Sequence, residues 1–409
     1  MIPLPLSEVA ELCPGVLEAE SQAEQVTGVK IDSRLVVDGD LFIAVGRGKE
    51  FLVEARTRGA AAALLPDDAF AALAALGRAV RGRSIARVVA VTGSYGKTTT
   101  KDILAAIACS QRRTVAAERS FNNEIGVPLT LCRLEPDTEI CIVELAMRGF
   151  GQIAELTELA KPQIGVIVAV GPVHLEKVGT LEGVVRAKSE LIAGLPAGGT
   201  AIVPADFAVE REDLDIVRIG EDVRVEAFEP PLLRTSLGDV EVSFSAAHLA
   251  TNALCALAAA QALGLDIPDR IDVEFAEWRN QEFELPGGGL LINDAWNANP
   301  ISVRAALEHL RTRANGRRTI AVLGEMAELG DYSEQGHEEV ARAARETEVD
   351  LVVGVGPWAK AYGGSWFATR DEAVSFLRGE LRPGDCVLLK GARVLELWII
   401  AEELAMVKA

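Results

Sequence analysis

Val88-Val89-Ala90-Val91-Thr92-Gly93-Ser94-Tyr95-Gly96-Lys97-Thr98-Thr99-Thr100 is the stretch on which the reading of this chain turns. Four apolar residues run into a glycine-bearing loop, and helical periodicity follows at Ile103, Leu104 and Ile107. Strand, loop and helix in that order are what cradling a phosphate requires. Glycines let backbone N–H groups converge on phosphate oxygens, the helix N-terminus adds positive potential, and Lys97 supplies a point charge. Thr98 is placed to ligate the Mg²⁺ that accompanies a nucleoside triphosphate. The pattern is the short G-x-x-G-K-T, with Val91 where a longer loop carries its leading glycine. Gly93, Ser94, Tyr95, Gly96, Lys97, Thr98 and Thr99 are therefore candidate nucleotide-binding residues.

Outward from this loop, Glu139 to Val143 and Ile164 to Val170 are short β-rich runs without polar alternation, as expected of strands covered on both faces. Strand-like and helix-like segments alternate from about residue 86 to the end, which predicts α/β layers. Three glycines in Pro286-Gly287-Gly288-Gly289 precede a strand from Leu290 to Asn293 and mark either a hairpin turn or an interdomain hinge. Beyond them, strands near Thr319 to Leu323, Leu351 to Val355 and Cys386 to Leu389 alternate with helices beginning near Ser302, Ser333 and Asp371, suggesting a second, Rossmann-like sheet.

At 409 residues the chain exceeds the roughly 250–300 at which a single core stops growing. The expected fold is α/β in three domains: a small N-terminal α/β unit over 1–85, a central P-loop-type domain with a mostly parallel sheet over 86–287, and a C-terminal Rossmann-like domain over 288–409.

Forty-one basic against sixty acidic side chains give a net charge of −19, which disfavours binding to nucleic acid or an anionic membrane through a broad electrostatic footprint. Met1 to Glu11 lacks the basic region and apolar run of a signal peptide, so a cytoplasmic protein without membrane insertion is expected. The longest uncharged stretch, around Ser243 to Leu265, carries Ser, His, Thr, Asn and Gln and reads as a buried Ala-rich helix. Six scattered cysteines without paired metal spacing read as reduced, mostly buried thiols.

Thr92 to Thr100 resembles the ATP loop of the Mur ligases, the enzymes that build the peptide stem of bacterial peptidoglycan. Asn122-Asn123-Glu124-Ile125-Gly126-Val127-Pro128-Leu129-Thr130, Asp294-Ala295-Trp296-Asn297-Ala298-Asn299-Pro300 and Leu323-Gly324-Glu325-Met326-Ala327-Glu328-Leu329-Gly330 continue the match in order. Within the family these segments look most like the branch that joins D-alanyl-D-alanine to a UDP-linked muramoyl tripeptide. Other branches usually carry a D-Y-A-H-x-P type of segment at the second position.

The resemblance implies a UDP-sugar domain, a central ATPase domain and a mobile domain that brings in the amino substrate. It also implies ATP and Mg²⁺ as cofactors, and a monomer is expected. Carried over residue by residue, Lys97 contacts the β- and γ-phosphates, while Thr98 and Glu144, at the end of the strand Glu139 to Val143, hold the first Mg²⁺. His174, in Gly171-Pro172-Val173-His174, helps to bind a second metal, and Lys188, in Arg186-Ala187-Lys188-Ser189-Glu190, is the lysine that the family carbamylates with CO₂. A carbamate presents oxygens to Mg²⁺ where an ammonium would repel it. Asn252, Arg279, Asp294 and Asn297 resemble ATP-site positions, and Ser33, Asn122, Asn123, Lys390 and Arg393 fall in segments facing the other substrates. Taken without the family, Lys188 is an ordinary solvated helix lysine and His174 a turn residue.

The chain also departs from the family pattern. Leu249 replaces the first Asn of H-N-x-x-N, and the Gly-Arg of the linker is Trp278-Arg279. Asp32-Ser33-Arg34 and Gly39-Asp40-Leu41-Phe42 match the UDP-binding part, but the following Asp-Gly-His is absent, and Gly46 to Phe51 occupies a shortened loop. Lys390-Gly391-Ala392-Arg393 resembles K-G-S-R with the serine lost. Two rival functions follow: a ligase of the same chemistry with other substrates, and a P-loop switch that binds nucleotide without ligating anything.

Overall fold

The structure is a computed structural model and describes all residues except 21, 174 and 406–409. Arg87–Thr92 lies inside a six-stranded, wholly parallel sheet ordered Asp215–Ile219, Thr200–Pro204, Ile164–Ile167, Arg87–Thr92, Ile140–Glu144, Thr114–Ala116. The chain fills one side of Arg87–Thr92 before returning to fill the other, so the order reverses at the strand that carries the loop, where open α/β sheets bind ligands. Both faces of that strand are covered. Val88 and Ala90 belong to one core, whereas Val89 and Val91 pack with the helices Lys97–Cys109 and Leu249–Ala262 in another.

Leu249–Ala262 is buried almost all round and sits within the expected Ala-rich stretch, with Ser243 to His248 outside it. A helix apolar on every side has to be interior.

The first of these cores does not stop at residue 85. The N-terminal sheet, ordered Gly15–Ala19, Ala62–Pro66, Asp40–Ile43, Gly28–Lys30, buries Leu41 and Leu64 with Leu73 and Leu76 of the helix Ala69–Arg83. The same cluster runs on into Cys141 and Val143 of the central sheet. Asp68 starts this helix by accepting from the Phe70 and Ala71 amides. Near its end, Arg81 donates to the carbonyls of Ala160 (2.8 Å) and Lys161 (3.2 Å) at the C-terminus of the helix Gln152–Ala160, the end where a cation is favoured.

The third sheet is ordered Gln281–Leu285, Gly289–Asn293, Cys386–Lys390, Thr319–Gly324, Leu351–Val355, Ser365–Phe367, antiparallel only between the first two. Of the two alternatives for the glycine run, the structure has the hairpin. Leu285 pairs with Gly289, and Gly287 and Gly288 turn the chain at φ +81° and +80°, backbone that costs glycine nothing. The division drawn at 287/288 therefore runs through a hairpin, and residues 281–285 lie on the third sheet. Helices Pro300–Ala314, Ser333–Glu346 and Arg370–Glu380 connect its strands, close to the starts read from the sequence. The six cysteines are free, five of them buried and Cys109 exposed. Among the described residues no helix is long and apolar enough to cross a membrane.

Candidate active site

The loop after Arg87–Thr92 is held by its own polar side chains. Ser94 Oγ donates to the Gly171 carbonyl (3.0 Å) and accepts from the Gly171 amide (2.9 Å), which ties the loop to the segment leading into position 174. Gly96 turns at φ +80° immediately before the helix Lys97–Cys109. A Cβ there would fall 2.2 Å from Asn252 Nδ2, so only glycine fits. Asn252 donates from that nitrogen to the Gly96 carbonyl (3.0 Å) and to Thr100 Oγ1 (3.1 Å), fastening the loop to Leu249–Ala262. Lys97 Nζ donates back to the Gly93 carbonyl at 2.8 Å. Tyr95 is half-buried beside Gly171, and Thr99 is buried.

The strand register sets Glu144 beside Val91 at the carboxyl edge of the sheet. Glu144 is buried and has no ion pair among the described residues. Its oxygens accept from Thr98 Oγ1 (2.8 Å) and Asn122 Nδ2 (2.7 Å). Its hydrogen-bond donors are both neutral, while the cations Lys97 and Arg279 act on it from a distance without pairing with it, which leaves its oxygens able to take a metal cation. Thr98 and Glu144 together offer oxygen donors for Mg²⁺, which completes its shell with water and phosphate oxygens and needs no all-protein cage. The described residues contain no group of three or more His, Cys, Asp or Glu that could hold a metal ion.

Lys188 is not a solvated helix lysine. Thr180 caps the helix Leu181–Ala193 by accepting from the Gly183 amide, and the helix buries Val184, Ala187, Lys188, Leu191 and Ile192. Those positions follow the i, i+3, i+4, i+7, i+8 stripe of a core-facing helix, with the lysine in its middle. Glu190, two residues on, accepts from the amides of Gly151 (2.7 Å) and Ala154 (3.0 Å), pinning this helix to the start of Gln152–Ala160. Lys188 makes no hydrogen bond or ion pair among the described residues and is only 2% exposed. Burial, and then repulsion from Lys97, hold its amine well below the usual ammonium range. Burial also lowers Lys97, against the attraction of Glu144. His174 lies outside the described residues.

Arg279 reaches the same place from the linker, donating to Ser120 Oγ at 3.0 Å, and Ser120 lies 3.4 Å from Thr98 Oγ1. Ser120 escaped the sequence reading because a serine in a loop carries no pattern of its own. Lys101 supports that loop by donating to the Ala117 and Arg119 carbonyls.

At the carboxyl edge of the third sheet, Lys390 pairs with Asp294 (2.5 Å) and donates to the Asn297 carbonyl (3.1 Å). Arg393 lies over the Trp296 ring at 4.4 Å, and the exposed Asn297 side chain makes no hydrogen bond among the described residues. Two residues expected to face substrate are engaged locally. Asn123 Oδ1 accepts from the amides of Ile125 and Gly126, capping the helix Gly126–Leu131, and Ser33, in the N-terminal unit, donates to Glu54 at 3.0 Å. Asn122 turns to Glu144.

Residues 91–260 match the Mur ligase middle domain and residues 278–393 the Mur ligase glutamate ligase domain. The UDP-N-acetylmuramoyl-tripeptide–D-alanyl-D-alanine ligase of Mycobacterium bovis is 32% identical, the alignment covering 99% of this chain and 98% of that protein. A crystal structure of MurF from Acinetobacter baumannii superposes with a TM-score of 0.85 at 29% identity, over 98% of this chain and 99% of the other. The MurF ligase of Thermotoga maritima in complex with ADP superposes at 0.80 and 27% identity, over 93% and 97%. This chain belongs to the Mur ligase family and is MurF-like within it.

Proposed function

We propose that the chain joins D-alanyl-D-alanine to UDP-N-acetylmuramoyl-tripeptide in peptidoglycan precursor synthesis, in the cytoplasm and as a single chain, using ATP and Mg²⁺. What carries the proposal is the buried set of Thr98, Glu144 and Lys188 around Lys97 at the mouth of the phosphate loop. The UDP-sugar is assigned to residues 1–85, ATP to the unit drawn at 86–287 without the strand Gln281–Leu285, and the amino substrate to 288–409 with that strand.

In the first step an oxygen of the tripeptide carboxylate attacks the γ-phosphorus, the bond to the β–γ bridging oxygen breaks, and ADP leaves. In the second, the dipeptide amine attacks the acyl carbon, inorganic phosphate departs and the amine loses a proton. Mg²⁺ supplies neutralisation of the charge that moves onto the phosphate oxygens. Lys97 adds a cation at the same oxygens, and its bond to the Gly93 carbonyl keeps the ammonium over the loop. Thr98 and Glu144 would hold the metal, and Asn122 keeps the Glu144 carboxylate turned toward Thr98.

Lys188 is the residue proposed to carry a carbamate, its nitrogen adding to CO₂ with loss of a proton. Support comes from its surroundings: a buried amine beside another cation disfavours the ammonium, and the neutral amine is the form that reacts with CO₂. His174 is assigned to the second metal on the resemblance alone.

The experiment is to follow phosphate release with UDP-N-acetylmuramoyl-tripeptide, D-alanyl-D-alanine, ATP and saturating Mg²⁺. Formation of the pentapeptide product is expected. Ligation of another acceptor in a nucleotide-sugar panel, with none of this one, would move the assignment to a different substrate pair. ATP hydrolysis indifferent to every acceptor would favour the nucleotide switch.

A further inference from the structure

Arg279 sits between two residues with unusual backbone. Trp278 has φ +62° and Asn280 φ +49°, and for a bulky residue such as tryptophan positive φ is strongly disfavoured. Strain of that kind persists only where the surroundings over-determine it. The surroundings of Trp278 are two further indoles. Its ring stacks on Trp398 at 4.3 Å and 19°, and on Trp296 at 5.6 Å and 13°. The Trp278 carbonyl also accepts from the Trp296 amide at 3.2 Å. Trp296 follows the strand Gly289–Asn293, and Trp398 opens the last helix of the third unit, so Trp278 is clamped to that unit from both faces.

Two residues earlier the chain belongs elsewhere. The Ala276 amide donates to Asp102 Oδ2 at 3.1 Å, on the helix that follows the phosphate loop. Attachment thus changes from the central unit to the third across Glu277. Arg279 lies on the third unit's side of that change, yet its guanidinium bonds to Ser120 of the central unit while lying 5.7 Å from the Trp296 ring centre.

We propose that Trp278 is a positioning residue: the three-indole stack fixes the linker to the third unit and thereby sets the Arg279 guanidinium against Ser120 in the phosphate site. Arg279 is then a group that the third unit delivers to the nucleotide, and its placement depends on how that unit is docked. This rests on the reading of Arg279 as part of the ATP site. The positive φ at 278 and 280 supports it independently, because a regular extended linker would not need such turns on both sides of one arginine.

The test is a double-mutant cycle between Trp278→Gly and Arg279→Ala, read as affinity for a non-hydrolysable ATP analogue with Mg²⁺ by calorimetry. Glycine suits φ +62°, so the variant loses the indole and keeps the turn. Trp278→Gly is expected to weaken binding and to lower the ligation kcat about tenfold or more. In the Arg279→Ala background it should weaken binding no further. Trp278→Phe, which keeps a stacking ring, should restore most of both. Unchanged affinity and kcat in Trp278→Gly, or losses that multiply in the double variant, would overturn the proposal. Trp398→Leu removes one face of the stack without touching the linker and must behave as Trp278→Gly does; it carries the test if the glycine variant does not fold. The calorimetric cycle needs no acceptor, so failure of the wild-type protein to ligate the proposed substrates would count against the function and leave the stack to be judged separately.

Discussion

Replacing Lys188 by methionine should make the protein more stable and inactive. The lysine is 2% exposed, makes no ion pair among the described residues and has Lys97 as its charged neighbour. Methionine fills a similar volume without an amine to desolvate. An amine kept wholly neutral at pH 7, against an ordinary value near 10.4, costs at most about 5 kcal/mol. Removing it should return part of that, on the order of 1–4 kcal/mol, as when other buried charges are replaced by apolar groups. At about 2–4 °C per kcal/mol for a cooperative unit of 150–250 residues, Tm should rise by several degrees.

The sign with pH is a sharper check. Between its depressed native pKa and the unfolded value, the unfolded chain binds the proton that the native lysine has lost. Wild-type stability should therefore climb with pH over that window, by up to about 1.4 kcal/mol per unit from this group. The advantage of Lys188→Met should accordingly be greatest near neutrality and shrink toward pH 10. The assay is urea unfolding of both proteins from pH 7 to 10 in CO₂-depleted buffer, repeated with bicarbonate, which should stabilise only the wild-type protein. Parallel pH curves for the two would refute the buried neutral amine. A bicarbonate effect missing from the wild-type protein would remove the carbamate and leave the amine.

Glu144→Gln should lower kcat/KM by about 100-fold or more, by analogy with lost metal-shell contacts. Its melting curve should stay close to wild type, because the amide can still meet Thr98 and Asn122, and raised Mg²⁺ should restore activity only partly. Asn252→Ala removes the two bonds that fasten Gly96 and Thr100. It should cost about 1–3 kcal/mol by chemical denaturation and raise the KM for ATP. His309 is buried beside His248, with Glu282, Asp294 and Arg313 also in range, and burial pushes it down to about 4. Since the unfolded imidazole titrates near 6.5, the unfolded chain binds more protons between those values. Stability should fall by up to about 3 kcal/mol as pH drops through this window, and His309→Gln should flatten that limb of the unfolding curve.

Most of the phosphate loop was legible because its chemistry is local. A strand, a short glycine loop and a helix are contiguous in the chain, and Lys97 and Thr98 take their places from that order alone. Glu144 was legible for a related reason, as a carboxylate leaving a buried strand. The surroundings of Lys188 were not read from the residues, although its place in the stripe Val184, Ala187, Lys188, Leu191, Ile192 was available to a count of helical spacing. Ser120 had no such signal, and the helix cap made by Asn123 Oδ1 was not legible because an Asn that caps a helix and one that meets a substrate look alike in a string of letters.

What this chain determined through its sequence alone is what depends on neighbours along the backbone or on composition: the periodicities behind its sheets, the phosphate loop, and a charge balance that disfavours a broad nucleic-acid footprint. Tertiary structure decided which groups come together from distant positions. It placed Glu144 beside Thr98, set Asn252 on Gly96, drew Arg279 to Ser120 and stacked Trp278 between Trp296 and Trp398. It also decided that the glycine run at 287–289 turns a hairpin. The reason is physical: strand pairing and side-chain burial couple residues tens to hundreds of positions apart, and the energy of a buried charge depends on those neighbours and hardly at all on the residues adjoining it in the chain.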